Sequence, residues 1–110
     1  MQGIVYAFVT LGIDQSNNRV LKIGRTTNWE QRRASYTGLD APDDSHPLIL
    51  HPVRNCVIVE TTLKRCMSEM FERHSGFERF VVPLGREAQV LRWIESTILQ
   101  TVSLLPHYES

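Results

Sequence analysis

With 110 residues, 42% of them hydrophobic, the chain suits one compact domain and is too short for two, and its apolar share argues against disorder. Twelve basic residues balance twelve acidic ones, which speaks against a surface that grips nucleic acid all over. No apolar run approaches the roughly 18 residues that span a bilayer. Met1-Gln2-Gly3 also lacks the basic and apolar regions of a signal peptide, so a soluble, intracellular chain with no membrane partner is expected.

Gly3–Leu11 is rich in β-branched and aromatic residues and reads as a strand; Asp14–Asn18 is a polar turn, and Arg19–Gly24 returns as a second strand of a hairpin. Thr27 and Glu30 fit a capping box that starts a helix, with Gly38 suited to its C-terminal stop after Thr37. Leu39–Pro47 is a loop. Leu48–Val59 reads as extended, interrupted by Pro52 at an edge or bend. Three- and four-residue apolar steps from Val59 to Phe71 predict a helix over 60–73. Phe77–Val82 is a short extended stretch stopped by Pro83, Arg86–Val102 a last helix, and 104–110 a loose tail. The fold class expected is therefore α+β: a small antiparallel sheet of three strands, or four, flanked by helices, in a single domain over 1–103.

Charge is uneven locally. Between positions 19 and 33, Arg19, Lys22, Arg25, Arg32 and Arg33 are opposed only by Glu30, while Asp40, Asp43 and Asp44 gather in the next loop. Such a stretch is either a phosphate-facing surface or a hairpin edge protected by charge. Cys56 and Cys66 are isolated, without a CxxC pair, and read as reduced, buried thiols rather than zinc ligands. His51 and His74 have no partner set in the sequence and read first as loop histidines.

Ile4-Val5-Tyr6 on the first strand, Lys22-Ile23-Gly24-Arg25-Thr26 on the second, and Arg32 eight residues past Gly24 form an ordered set. This order resembles the GIY-YIG nuclease superfamily. The form with lysine opening the second tripeptide is similar to the branch found in phage and viral reading frames and in meiotically up-regulated-gene-type domains. The resemblance implies a GIY-YIG-like fold and the hydrolysis of phosphodiesters. That chemistry needs an activated water, positive charge where negative charge develops, and usually a divalent cation.

Carried over position by position, Tyr6 matches the first signature tyrosine and would activate or position the water. Lys22 stands where the second tyrosine is expected and would assist. Arg32 would stabilise the phosphate, and Tyr36 matches an aromatic or histidine one helical turn later. For the metal-binding glutamate, Glu60 in Glu-Thr-Thr-Leu-Lys is expected, opening the second helix; Glu78 in Phe77-Glu78-Arg79-Phe80 is its competitor. Glu69, Glu72 and Glu87 read as solvated. Arg25, Arg33, Lys64 and His74 are expected to contact nucleic acid. The late asparagine of many GIY-YIG nucleases has no counterpart, since Asn55 precedes Glu60.

Unperturbed Lys and Tyr titrate at about 10.4 and 10, so either needs its surroundings to act near neutrality. The expectation is a DNA endonuclease using a single Mg2+ (or Mn2+) ion. Its specificity would come from a homodimer, a partner or DNA structure, since 110 residues leave little room for a separate reading module. A module that binds nucleic acid without turnover is the alternative, and a protein-interaction domain the third.

Overall fold

The computed structural model describes residues 2–73, 76 and 78–105. In chain order it comprises β1 (Gly3–Ile13), β2 (Arg19–Thr26), α1 (Trp29–Ala34), a 3-10 turn (Gly38–Asp40), β3 (Ile49–Val53), α2 (Cys56–Met70), β4 (Arg79–Val82) and α3 (Glu87–Leu104). The four strands form one sheet in the order β3-β1-β2-β4, with every neighbouring pair antiparallel. Arg79–Val82 thus supplies a fourth strand, on the outer edge of β2.

Strand β1 is covered on both faces, and Val5, Tyr6, Ala7, Phe8 and Val9 are each at most 1% exposed. Alternation sorts them. Val5, Ala7 and Val9 join Leu21 and Ile23 of β2 against Val59, Leu63 and Met67 of α2 and Leu91, Ile94 and Ile98 of α3. Tyr6 and Phe8 turn to the other face, where the rings of Trp29 and Tyr36 meet them. Helix α1 buries no residue of its own, so those two flanking rings hold it on the sheet.

Several boundaries depart from the sequence expectations. Asn28, not Thr27, caps α1, its side chain accepting from the Gln31 backbone N–H at 3.1 Å. The helix ends at Ala34, and Gly38, with φ of 61°, opens the 3-10 turn. Val57, Ile58 and Val59, which read as extended, are helical, because burying Cys56, Val59, Leu63 and Met67 on one stripe extends α2 back to Cys56. Leu104, expected to open the tail over 104–110, instead closes α3, and residues 106–110 lie outside the described residues.

Glu87, expected to be solvated, is 5% exposed. It faces Arg19, whose guanidinium also donates to the Thr10 carbonyl at 2.8 Å and to Asp43 at 2.7 Å. Hydrogen bonds from Arg19 and then Ser45 hold the Asp43 carboxyl far below the usual carboxylate range. This network ties the acidic loop and the start of α3 to the hairpin, away from Tyr6.

Candidate functional site

The site grows from the pairing of β1 with β2. Tyr6 lies opposite Gly24, and Phe8 opposite Lys22. Tyr6 folds over Gly24 so closely that a Cβ there would stand 2.6 Å from its Cζ and closer still to its hydroxyl. The same Cβ would be 3.0 Å from Glu78 Oε1. The signature glycine is therefore a requirement of space: phenol and carboxylate converge above its backbone. Gly24→Ala is expected to displace the Tyr6 ring and destabilise the fold by about 1–3 kcal/mol. A urea melt checks it; an unchanged midpoint with the Tyr6 environment intact would contradict it.

The Tyr6 hydroxyl is hydrogen-bonded to that of Tyr36. Lys22 is 5% exposed, with its Nζ 4.3 Å from the centroid of the Tyr36 ring, a cation–π placement when charged. Beside it, Arg79 on β4 makes a forked contact with Asp40, its Nη2 at 3.0 Å and Nε at 3.3 Å. Glu78 is held by strand pairing, its carbonyl accepting from the Ile23 N–H at 2.9 Å, which delivers its side chain to the Gly24 position. Arg32 is exposed and lines a polar pocket with Thr26, Asn28, Gln31 and Ser35.

Burial dominates the titration of this cluster. It pushes the Tyr6 phenol far above its ordinary value, helped by the bond to Tyr36 and the charge of Glu78. Burial raises Tyr36 as well. It lowers Lys22, with Arg79 adding to the effect against the opposing fields of Asp40 and Glu78. The Arg32 guanidinium is held charged still more firmly, first by interaction with Tyr6. Tyr6 thus stays protonated near neutrality, and the lysine is the group moved toward it.

Of the residues singled out in the sequence, Tyr6, Lys22, Arg32, Tyr36 and Glu78 are brought together. Glu60 is not. It sits in the second turn of α2 rather than opening that helix, so the helix-start argument for it lapses. Its carboxylate pairs with Arg25 Nε at 3.1 Å and Lys64 Nζ at 3.0 Å. Arg25 lies in register with Val5, in the row that faces α2, so Glu60 lies across the sheet from the Tyr6 hydroxyl. The Arg25 Nε–H is buried and not directed at that carboxylate, so the contact is an ion pair rather than a hydrogen bond.

Arg33 pairs loosely with the exposed Asp44 at 3.5 Å. His74 lies outside the described residues. Cys56 is a buried free thiol and Cys66 a partly buried one. Sequence reasoning missed the Asp40–Arg79 pair and the packing role of Trp29. Only the acidic-aromatic stretch around Glu78 hinted at the first, and the Tyr6/Phe8 alternation at the second.

Residues 3–97, which contain every member of this cluster, match the T5orf172 domain. The chain belongs to the T5orf172 domain family. These are phage-associated domains of a nuclease-related type. No curated protein and no solved structure matches the chain. Among the described residues, no helix of this T5orf172 domain is long and apolar enough to cross a membrane.

Proposed function

We propose that this T5orf172 domain is a metal-dependent endonuclease that hydrolyses DNA phosphodiesters at the Tyr6–Lys22–Arg32–Glu78 cluster. The observation that carries the reading is the convergence above Gly24. A buried amine, a paired phenol, an exposed guanidinium and a carboxylate share one small region of the sheet.

Each group suits a different part of the task. The Lys22 amine, its proton affinity reduced by burial, takes the proton of the attacking water when neutral. The Tyr6 phenol keeps its proton and so acts as a hydrogen-bonding group that orients water or phosphate, with Tyr36 fixing its direction. Lys22 and Tyr6 thereby exchange the roles that the signature motif suggests. Arg32, charged and exposed, meets the developing negative charge on the phosphate.

The donor set fits one hard cation of the Mg2+ or Mn2+ type. No group of three His, Cys, Asp or Glu able to hold a metal occurs among the described residues. Mg2+ commonly takes one or two carboxylates and fills its remaining positions with water and substrate phosphate. Glu78 would hold it; Glu60 is already matched by two cations. When bound, the ion would polarise the phosphate and stabilise its charge.

Supercoiled plasmid incubated with and without Mg2+ tests the reading. Nicking is expected with Mg2+, absent after chelation, and reduced about 10²-fold or more in Arg32→Ala. Nicking that persists unchanged in chelator and in that variant rejects it. A binding module without turnover is favoured by one observation, the Lys22 Nζ over the Tyr36 ring, a placement that favours the charged amine over the neutral base. It predicts salt-dependent DNA binding and no nicking under any metal condition.

A further inference from the structure

A second polar groove lies on the α2 side of the sheet, lined by Glu60, Thr61, Lys64, Arg65, Ser68 and Arg73. Thr61, Lys64, Arg65 and Ser68 recur at three- and four-residue steps, so they share one face of α2. Arg73 completes the wall, its Nε donating to Ser68 Oγ at 3.1 Å and its guanidinium resting 5.7 Å from the Phe80 ring centroid. Apart from Glu60, every polar lining side chain is a hydrogen-bond donor: two hydroxyls, an ammonium and two guanidinium groups. The carboxylate of Glu60 is shared by Lys64 and, from β2, Arg25.

In a chain whose formal charge is zero, such a concentration of donors suits a partner made of acceptors. The groove is also joined to the candidate site. Arg25, which pairs with Glu60 at its head, is followed by Thr26, which lines the Arg32 pocket on the other face. Both grooves thus reach the end of β2, one through the Glu60–Arg25 pair and the other through Thr26. The far limit is equally marked, because beyond Arg73 the adjoining surface is lined by Asp14 and Glu72.

We infer that the α2 groove is a phosphate track: it binds the sugar-phosphate backbone of the nucleic acid whose reacting phosphate sits at Arg32. The inference rests on the nucleic-acid reading above but not on turnover. The track fixes register and orientation and reads no bases, since hydroxyls and cations on phosphate carry no sequence information.

The full-length protein is titrated into a labelled short DNA duplex by fluorescence anisotropy across a salt series, without divalent metal. Each phosphate contact removed lowers the slope of log affinity against log salt by about 0.9. Arg65→Ala/Arg73→Ala should therefore reduce the slope by about 2 and weaken binding similarly for unrelated sequences. Arg86→Ala/Arg92→Ala removes two exposed charges, one just before α3 and one on it, and should leave the slope nearly unchanged.

Equal effects of the two double variants would mean diffuse charge rather than a track, and overturn the inference. So would an unchanged slope in Arg65→Ala/Arg73→Ala with native circular dichroism, or no binding by the wild type. Binding that behaves as expected, in a protein that never nicks plasmid, would leave the track standing and remove the nuclease reading.

Discussion

Glu78→Gln is expected to lower metal-dependent nicking by about 10²–10³-fold, while Glu60→Gln costs far less activity. The asymmetry follows from placement. Glu78 Oε1 occupies the space next to Gly24 and Tyr6, whereas the Glu60 carboxylate is paired across the sheet with Arg25 and Lys64. A cation polarising a phosphate is worth several kcal/mol, and each 1.36 kcal/mol is tenfold in rate. Glutamine keeps the shape of the side chain but forfeits the charge that would hold the ion.

The main effect of Glu60→Gln should be on stability, about 1 kcal/mol for the loss of a partly exposed ion-pair set. Plasmid nicking across a Mg2+ series, beside urea melts of both variants, checks this. If Glu60→Gln is the variant that abolishes nicking while Glu78→Gln retains it, the ion belongs on the α2 side and the site must be redrawn around Arg25.

The second large effect concerns Lys22. As the base it must lose its proton, and burial moves its pKa down from 10.5. The rate should then rise about tenfold per pH unit below that pKa and level off above it, with the inflection below 10.5. The direction is fixed by the sign: a base works in its deprotonated form, so acidification removes activity.

Lys22→Arg retains the positive charge but cannot deprotonate in this range. It should lose about 10²–10⁴-fold in single-turnover rate and the pH dependence with it, while still binding DNA. A variant that nicks at near wild-type rate would show that only the cation matters. In the metal-free protein the Glu78 charge raises the Lys22 pKa, so Glu78→Gln should lower the Lys22 titration midpoint read by NMR without divalent ion. The shift would show that the two groups feel one another.

The hairpin, and the placing of Tyr6 on its first strand and of Lys22 and Gly24 on its second, were legible in the linear chain. The opposition of Tyr6 and Gly24 was not, because the pairing shifts register between Val9 and Ile13, so the turn alone does not set it. Arg32 was legible on its helix, whereas Tyr36, expected one helical turn later, lies past the end of α1 at Ala34 and reaches the site from the following loop. The start of α2 was not legible. Val57, Ile58 and Val59 are strong strand formers, and only the shared stripe with Cys56, Leu63 and Met67 makes them helical.

Sequence alone thus determined which groups were available and on which strand or helix each lies, because those relations need only neighbours along the chain. Tertiary structure decided which glutamate joins them. That choice depends on β4 pairing with β2, a contact between distant segments that delivers Glu78 and leaves Glu60 on α2 beyond the sheet. It also shifted the titration of phenol and amine, raising the first and lowering the second, because burial withdraws both from water. No local pattern encodes that depth.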